Sequence, residues 1–247
     1  MALVSVIIPY YKKIDFIKKT LNSVLDQTFQ DFEIILIYDD VNLDDLKVIE
    51  DLIRSNPKVK LIQNKKNLGA GLSRNVGIKN SNGKIIAFLD SDDYWKSDRL
   101  EKQFNFMIEK GYKFTFCNYE KIINNKKKIQ VLSKNKIVSH KQLLNDCEIG
   151  LSTVFLHRDI INEDLFPPLE TKEDYVAWLK ITKNNVNAYN FPECLVEWNY
   201  SKNSLSSNFI QKLKDGFKVY YKYLNIGFFK SLFYLLLLGF NSIKRKF

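Results

Sequence analysis

The sequence predicts an α/β fold built on a mostly parallel sheet with flanking helices. Two observations carry that expectation. Short apolar runs at residues 3–9, 32–38, 58–63 and 85–89 alternate with segments of helical apolar spacing, the pattern of strands joined by crossover helices. Three of those runs then stop abruptly in polar loops: Pro9-Tyr10-Tyr11, Asp39-Asp40 and Asp90-Ser91-Asp92-Asp93. Ligands of parallel sheets bind outside the carboxyl ends of the strands, so these loops are expected to line one pocket.

Each element has its own cause. Residues 3–9 are apolar apart from Ser5 and read as a first buried strand. Asp15 is placed to cap a helix whose apolar positions are Phe16, Ile17, Leu21, Val24 and Leu25. Residues 44–55 have helical spacing again, with Leu46, Ile49, Leu52 and Ile53. Residues 69–80 read as a loop entering a helix, and Ser81-Asn82-Gly83 as a turn. The five apolar residues 85–89 are too few for a globular helix and suit a buried strand. Further on the pattern is less regular. Residues 99–109 read as an amphipathic helix, 112–119 as an aromatic-rich strand, and 122–131 as its hairpin partner across Asn124-Asn125. Residues 152–156 are another strand candidate. Pro167-Pro168 breaks the chain, and residues 174–183 form a helix carrying Val176, Leu179 and Ile181.

Composition narrows the function. A hydrophobic content of 45% excludes a disordered chain. The formal net charge of +10 is concentrated late: nine Lys/Arg and one Asp follow residue 200, against twenty-nine basic and twenty-seven acidic residues before it. A nucleic-acid binder would spread a basic face over its fold. A basic tail mixed with aromatics suits an anionic membrane surface instead. Cys117, Cys147 and Cys194 show no metal-ligand spacing and are expected to be reduced thiols of a cytosolic protein. His140 and His157 have no ligand partners in sequence and are expected to be structural. The first residues run straight into a strand pattern, so no secretory leader is expected.

Asp90, Asp92 and Asp93 place three like charges within four residues. Such a group is either solvated or holds a cation. Hard oxygen ligands suit Mg2+ or Mn2+, which keeps waters and bridges to substrate phosphates. The expected ligand is therefore phosphorylated. No Gly-x-Gly-x-x-Gly follows the first strand, which argues against a nicotinamide-binding domain.

Several motifs resemble those of the inverting family 2 glycosyltransferases of GT-A fold. They are Val4-Ser5-Val6-Ile7-Ile8-Pro9-Tyr10-Tyr11; Gln27-Thr28-Phe29 leading into Phe32-Glu33-Ile34; Asp39-Asp40; Asn67-Leu68-Gly69; Ser73-Arg74-Asn75-Val76-Gly77; Leu89-Asp90-Ser91-Asp92-Asp93; Glu173-Asp174-Tyr175; and Ser204-Leu205-Ser206. Val41 stands where the family has Gly, and Lys12 where an Asn is usual. The resemblance implies a Rossmann-like GT-A domain over residues 1–207, with a nucleotide-binding half at 1–110 and an acceptor-binding half at 111–207. It also implies transfer from a UDP-sugar to a glycan or lipid-linked acceptor in bacterial surface polysaccharide or lipopolysaccharide assembly. The processive motif Gln-x-x-Arg-Trp is missing, so one sugar per binding event is expected. Transfer onto polyprenyl phosphate, which needs no base, and non-catalytic nucleotide binding are the alternatives.

The same resemblance assigns roles. Asp92 would be the principal ligand of Mn2+ or Mg2+, with Asp90 and Ser91 beside it, and Asp93 behind the site or capping a helix. Pro9 and Tyr11 would shape the base pocket. Asp40 would accept from uracil N3–H, with Asp39 as the alternative, and Asn67 would belong to the same nucleotide site. Arg74 would offset the diphosphate charge or pair with Asp90. Asp174 would be the general base with Glu173 as neighbour, though both acids could merely complement a helix dipole.

Residues 208–247 form a basic amphipathic tail. Its apolar run at residues 231–243 is shorter than the about 20 residues that span a bilayer. The tail is expected to lie in the membrane interface, leaving the protein cytoplasmic and peripheral on the inner face of the membrane.

Overall fold

The computed structural model of the chain describes residues 2–123, 127–200 and 208–244. The first half alternates strictly: β1 (Val4–Tyr10), α1 (Ile14–Leu25), β2 (Phe32–Tyr38), α2 (Asp44–Ile53), β3 (Val59–Gln63), α3 (Ala70–Lys79) and β4 (Ile85–Phe88). These four strands lie parallel in the order β3-β2-β1-β4. Their runs are continuously apolar because both faces are covered. Ile7, Ile35, Ile37 and Phe88 point into one core layer, and Val6, Ile8, Ile34 and Leu36 into the other.

The second half adds β5 (Tyr94–Trp95), α4 (Arg99–Glu109), β6 (Phe114–Ile123), β7 (Lys127–Val131), β8 (Ile137–Val138), α5 (His140–Asn145), β9 (Val154–His157), α6 (Glu173–Thr182) and β10 (Ala188–Tyr200). Strand β9 pairs antiparallel with both β4 and β6, so it welds the two halves into one sheet. On one side of that sheet Trp178 of α6 is fully buried against Phe88, Phe114 and Phe166. On the other, Ile17, Leu21 and Val24 of α1 and Leu100 and Met107 of α4 close the core.

Several expectations are corrected. Asp15 does not cap α1: Lys13 is the cap residue, without a side-chain bond, and Asp15 lies in the first turn. The aromatic strand runs to Ile123 because β7 and β10 both pair with it; Asn124-Asn125 falls outside the described residues. The predicted strand at 152–156 opens as a 3-10 turn over Leu151–Thr153, which aims Ser152 at the aspartate loop. The long strand β10 was not expected at all. Its Pro192 is a strand breaker, and it is accommodated where the register with β6 shifts.

The tail forms α7 (Phe209–Lys218), a π-helical turn (Val219–Tyr223) and α8 (Phe228–Lys244). It does not lie free of the domain. Val219, Tyr220 and Leu238 join the core layer that holds Trp178. The opposite face of α8 stays exposed.

Gly77 of α3 marks the tightest helix–sheet approach. A Cβ there would lie 2.4 Å from Ile7 Cγ2 and 3.0 Å from Ile37 Cδ1. Gly77→Ala is therefore expected to destabilise the fold by about 1–3 kcal/mol in urea unfolding. Wild-type stability of that variant would contradict this packing.

Candidate active site

The polar ends of β1, β2 and β4 meet because these strands are neighbours and run the same way. The Asp39 amide donates to the Tyr10 carbonyl at 2.9 Å, and Thr20 Oγ1 of α1 donates to the Ser91 carbonyl at 2.9 Å. Pro9 is buried at the end of β1, while Tyr11 is 42% exposed and so free to present its ring to a ligand. Lys12 adopts φ 51°, the left-handed region that favours Asn among non-glycine residues. Lys12 therefore holds a turn conformation that Asn adopts more readily. Val41, 71% exposed, has no core to disturb.

Asp39 is consumed by its surroundings. Its carboxylate accepts from Asn64 Nδ2, the Leu68 amide and the Gly69 amide, each at 2.8 Å. Asn67 Nδ2 donates to the Asp39 carbonyl at 2.8 Å, so Asn67 shapes this loop. Gly69 closes the turn at φ 82°, where a side chain would be strained. Asp40 is less committed: its Oδ1 accepts from the Asn42 amide at 3.1 Å.

The three aspartates after β4 point to different partners. Asp93 is buried and accepts from Ser152 Oγ at 2.6 Å and from the Asn199 amide at 3.0 Å. Burial, with the charges of Asp90 and Asp92 adding to it, raises its carboxyl well above the usual range. It thus ties the loop to β10 and caps no helix. Asp92 stays accessible and meets Lys13 Nζ at 2.7 Å. Asp90 accepts from Arg74 at 2.7 Å, while its amide donates to Ser152 Oγ at 3.2 Å. Ser91 is buried between them.

Arg74 does more than pair with Asp90. It is buried, and its second nitrogen reaches Glu173 at 2.7 Å. Burial works against its charge, but Asp90 and Glu173 outweigh that and raise its pKa. Glu173 is pushed up to about 7 by burial, with Arg74 opposing and the Asp174 charge adding. Gly71 permits the approach, since a Cβ there would lie 3.1 Å from Glu173 Cγ. Asp174 is half-buried; its Oδ1 accepts from the Tyr175 amide at 2.7 Å, and burial raises its carboxyl too. Three site residues were missed from sequence: Glu173 as the Arg74 partner, Lys13 and Ser152. Separations of 99, 79 and 59 residues leave no local signal for these contacts. The late Ser204-Leu205-Ser206 element lies outside the described residues.

Among the described residues, no three His, Cys, Asp or Glu side chains gather into a metal cluster. Asp93 has turned inward, leaving only Asp90 and Asp92. That pair still fits a divalent ion. Both are partly exposed oxygen donors, and each already attracts a cationic side chain. A Mg2+-type ion is commonly held by one or two carboxylates plus substrate phosphates.

The chain is similar to known proteins in sequence and in fold. The profile described as "Glycosyl transferase family 2" matches residues 5–166. The Escherichia coli UDP-Glc:alpha-D-GlcNAc-diphosphoundecaprenol beta-1,3-glucosyltransferase WfgD is 38% identical over 215 residues, covering 86% of this chain and 83% of that protein. A Bacillus subtilis protein, TuaG, named provisionally as a teichuronic acid biosynthesis glycosyltransferase, is 31% identical over 99% of this chain and 97% of its own length. In structure, S. aureus TarS 1-349 in complex with UDP-GlcNAc superposes with a TM-score of 0.74 at 22% identity, over 90% of this chain and 65% of that one. Mannosyltransferase PcManGT from Pyrobaculum calidifontis, in complex with GDP-Man and Mn2+, gives 0.71 at 15% identity, over 94% and 69%. The fold is thus GT-A, and the chain belongs to glycosyltransferase family 2.

Proposed function

We propose that the protein moves a single sugar, with inversion, from a UDP-sugar to a lipid-linked glycan acceptor during assembly of a bacterial surface polysaccharide. The observation that carries this reading is the Arg74 bridge. One guanidinium lies 2.7 Å from Asp90 and 2.7 Å from Glu173, so acids suited to a nucleotide diphosphate and acids suited to an acceptor belong to one network. The substrate class is supported by WfgD, named for glucose transfer onto GlcNAc-diphosphoundecaprenol, and by the UDP-GlcNAc held by TarS.

Pro9 and Tyr11 frame the base, and the uncommitted oxygen of Asp40 accepts from uracil N3–H. Cytosine presents an acceptor at that position and would be refused. Asp39 and Asn67 hold the loop beneath. Asp92, with Asp90 beside it, would hold Mn2+ or Mg2+, which when bound neutralises the charge developing on the leaving diphosphate. Arg74 holds the Asp90 carboxylate in place through their 2.7 Å contact. Asp174 takes the proton from the acceptor hydroxyl as that oxygen attacks the anomeric carbon and the bond to the diphosphate breaks. Burial raises its carboxyl, which makes it a stronger base than an exposed aspartate.

The tail supports a peripheral place on the inner face of the membrane. Phe229, Leu232, Phe233, Leu236 and Phe240 form an exposed stripe at helical spacing along α8. Exposed Lys214, Lys222 and Lys230 stand on the same helical tail. Among the described residues no helix is long and apolar enough to cross a membrane. An exposed apolar stripe on a tail that also carries exposed lysines fits an anionic lipid surface.

Turnover is to be measured with UDP-glucose and UDP-GlcNAc on a synthetic GlcNAc-diphospho-lipid, with Mn2+ and with chelator. Asp174→Asn is expected to bind UDP and Mn2+ as the parent does but to lose about 10²–10⁴-fold in transfer rate. Asp92→Asn should weaken metal-dependent UDP binding by at least about tenfold. Undiminished transfer by Asp174→Asn would overturn its assignment as base; transfer to polyprenyl phosphate itself, offered as acceptor in a parallel assay, would favour the base-free alternative.

The full chain should also sediment with phosphatidylglycerol vesicles at low salt and partly release at about 0.5 M salt. The triple change Phe229→Ser, Phe233→Ser, Leu236→Ser should stay in the supernatant. A parent protein that ignores such vesicles would refute the membrane reading.

A further inference from the structure

The tail does more than contact a surface. Its inward face holds two tethers that bracket Glu173 and Asp174 in sequence. The first is Asp215 of α7, fully buried. Its Oδ2 accepts from the Thr171 amide at 3.1 Å and from Thr171 Oγ1 at 3.2 Å. Gln211 at 2.9 Å and Lys218 at 2.9 Å complete its shell. Burial alone would raise this carboxyl, but Lys218, Gln211 and the Thr171 amide reverse the effect and keep it ionised. The second tether is Tyr220 of the π-helical turn. Its hydroxyl lies 2.9 Å from the Tyr175 hydroxyl and donates to the Leu144 carbonyl at 2.9 Å. Thr171 comes just before the acid pair and Tyr175 just after it.

Between the tethers the backbone is strained. Lys172 takes φ 67° and ψ 11°, the left-handed conformation, immediately before α6. A non-glycine residue keeps that geometry only where its surroundings over-determine it. The two tail contacts provide that constraint at either end. Helix α8 backs them, since Leu235 Cδ1 would lie 2.8 Å from a Cβ on Gly216.

We infer that the C-terminal helices are part of the catalytic apparatus: Asp215 and Tyr220 are positioning residues that hold the start of α6, and with it Asp174, toward the acceptor. The inference rests on the assignment of Asp174 as base. It gives the tail a role separate from membrane contact, because the tethers lie on its buried face and the apolar stripe on the other.

The test compares Asp215→Ala, Asp215→Asn, Tyr220→Phe and Thr171→Val in the full chain. Transfer is followed with the donor that turns over best on the GlcNAc-diphospho-lipid, and UDP binding with Mn2+ by calorimetry. Asp215→Ala should lower kcat by about 10–100-fold, the cost of a displaced catalytic group. Donor KM and UDP affinity should stay within about twofold of the parent, because such a group adds to the transition state alone. Asp215→Asn, which keeps an acceptor for the Thr171 amide, should recover most of the rate. Tyr220→Phe and Thr171→Val remove single hydroxyls and should each lower kcat without moving UDP affinity; they decide the matter if Asp215→Ala does not fold. Parent-level kcat in these variants, or a parallel loss of UDP binding and kcat, would overturn the inference. Asp174→Asn run alongside separates the two claims. Full activity there overturns the base assignment and this inference with it. Loss there, with intact Asp215 and Tyr220 variants, overturns this inference alone.

Discussion

A buried cation between two acids organises this molecule. Arg74 has almost no contact with solvent, so its charge is tolerable only because Asp90 and Glu173 each sit 2.7 Å away. Removing either acid leaves a desolvated charge short of a partner. The guanidinium fork suits this task, since one planar group can hold two carboxylates in fixed directions. The bridge spans the sheet opening: Asp90 follows β4 and Glu173 starts α6. Everything near it serves to keep that geometry. Gly71 lets α3 approach Glu173, and Ser152 turns to meet both Asp90 and Asp93.

The electrostatics divide the acids by role. Asp93 is drawn inward and used as structure. Asp92 and Asp90 stay at the surface of the opening and attract positive charge. Glu173 and Asp174 are raised by burial, which places them nearer the range where a carboxyl exchanges protons at neutral pH. Arg74 opposes that rise for both. The same residue therefore joins Asp90 to Glu173 and works against the burial that raises Glu173 and Asp174.

Much of the first half was legible in the sequence. Its strands are buried on both faces, so they read as unbroken apolar runs, and β2 matches the expected bounds residue for residue. The convergence of three polar loops followed from strand direction alone. What could not be read was set by distant contacts. Arg74 was matched to Asp90, sixteen residues away, but its bond to Glu173 spans ninety-nine. Asp39 stood as the alternative to Asp40, but the loop at residues 64–69 consumes its carboxylate. Strand β10 was hidden by Pro192. The tail's apolar positions divide between two surroundings: Val219, Tyr220 and Leu238 fill the core, while Phe229 and Leu236 face outward. Composition registers both sets alike.

The most direct test of the Arg74 bridge is a double-mutant cycle on kcat/KM for transfer, using Asp90→Asn, Glu173→Gln and both together. If one guanidinium couples the two acids, the effects will be strongly non-additive, with an interaction of about 0.5–3 kcal/mol. Losses that simply multiply would mean that Asp90 and Glu173 act independently, and the coupling through Arg74 would be contradicted.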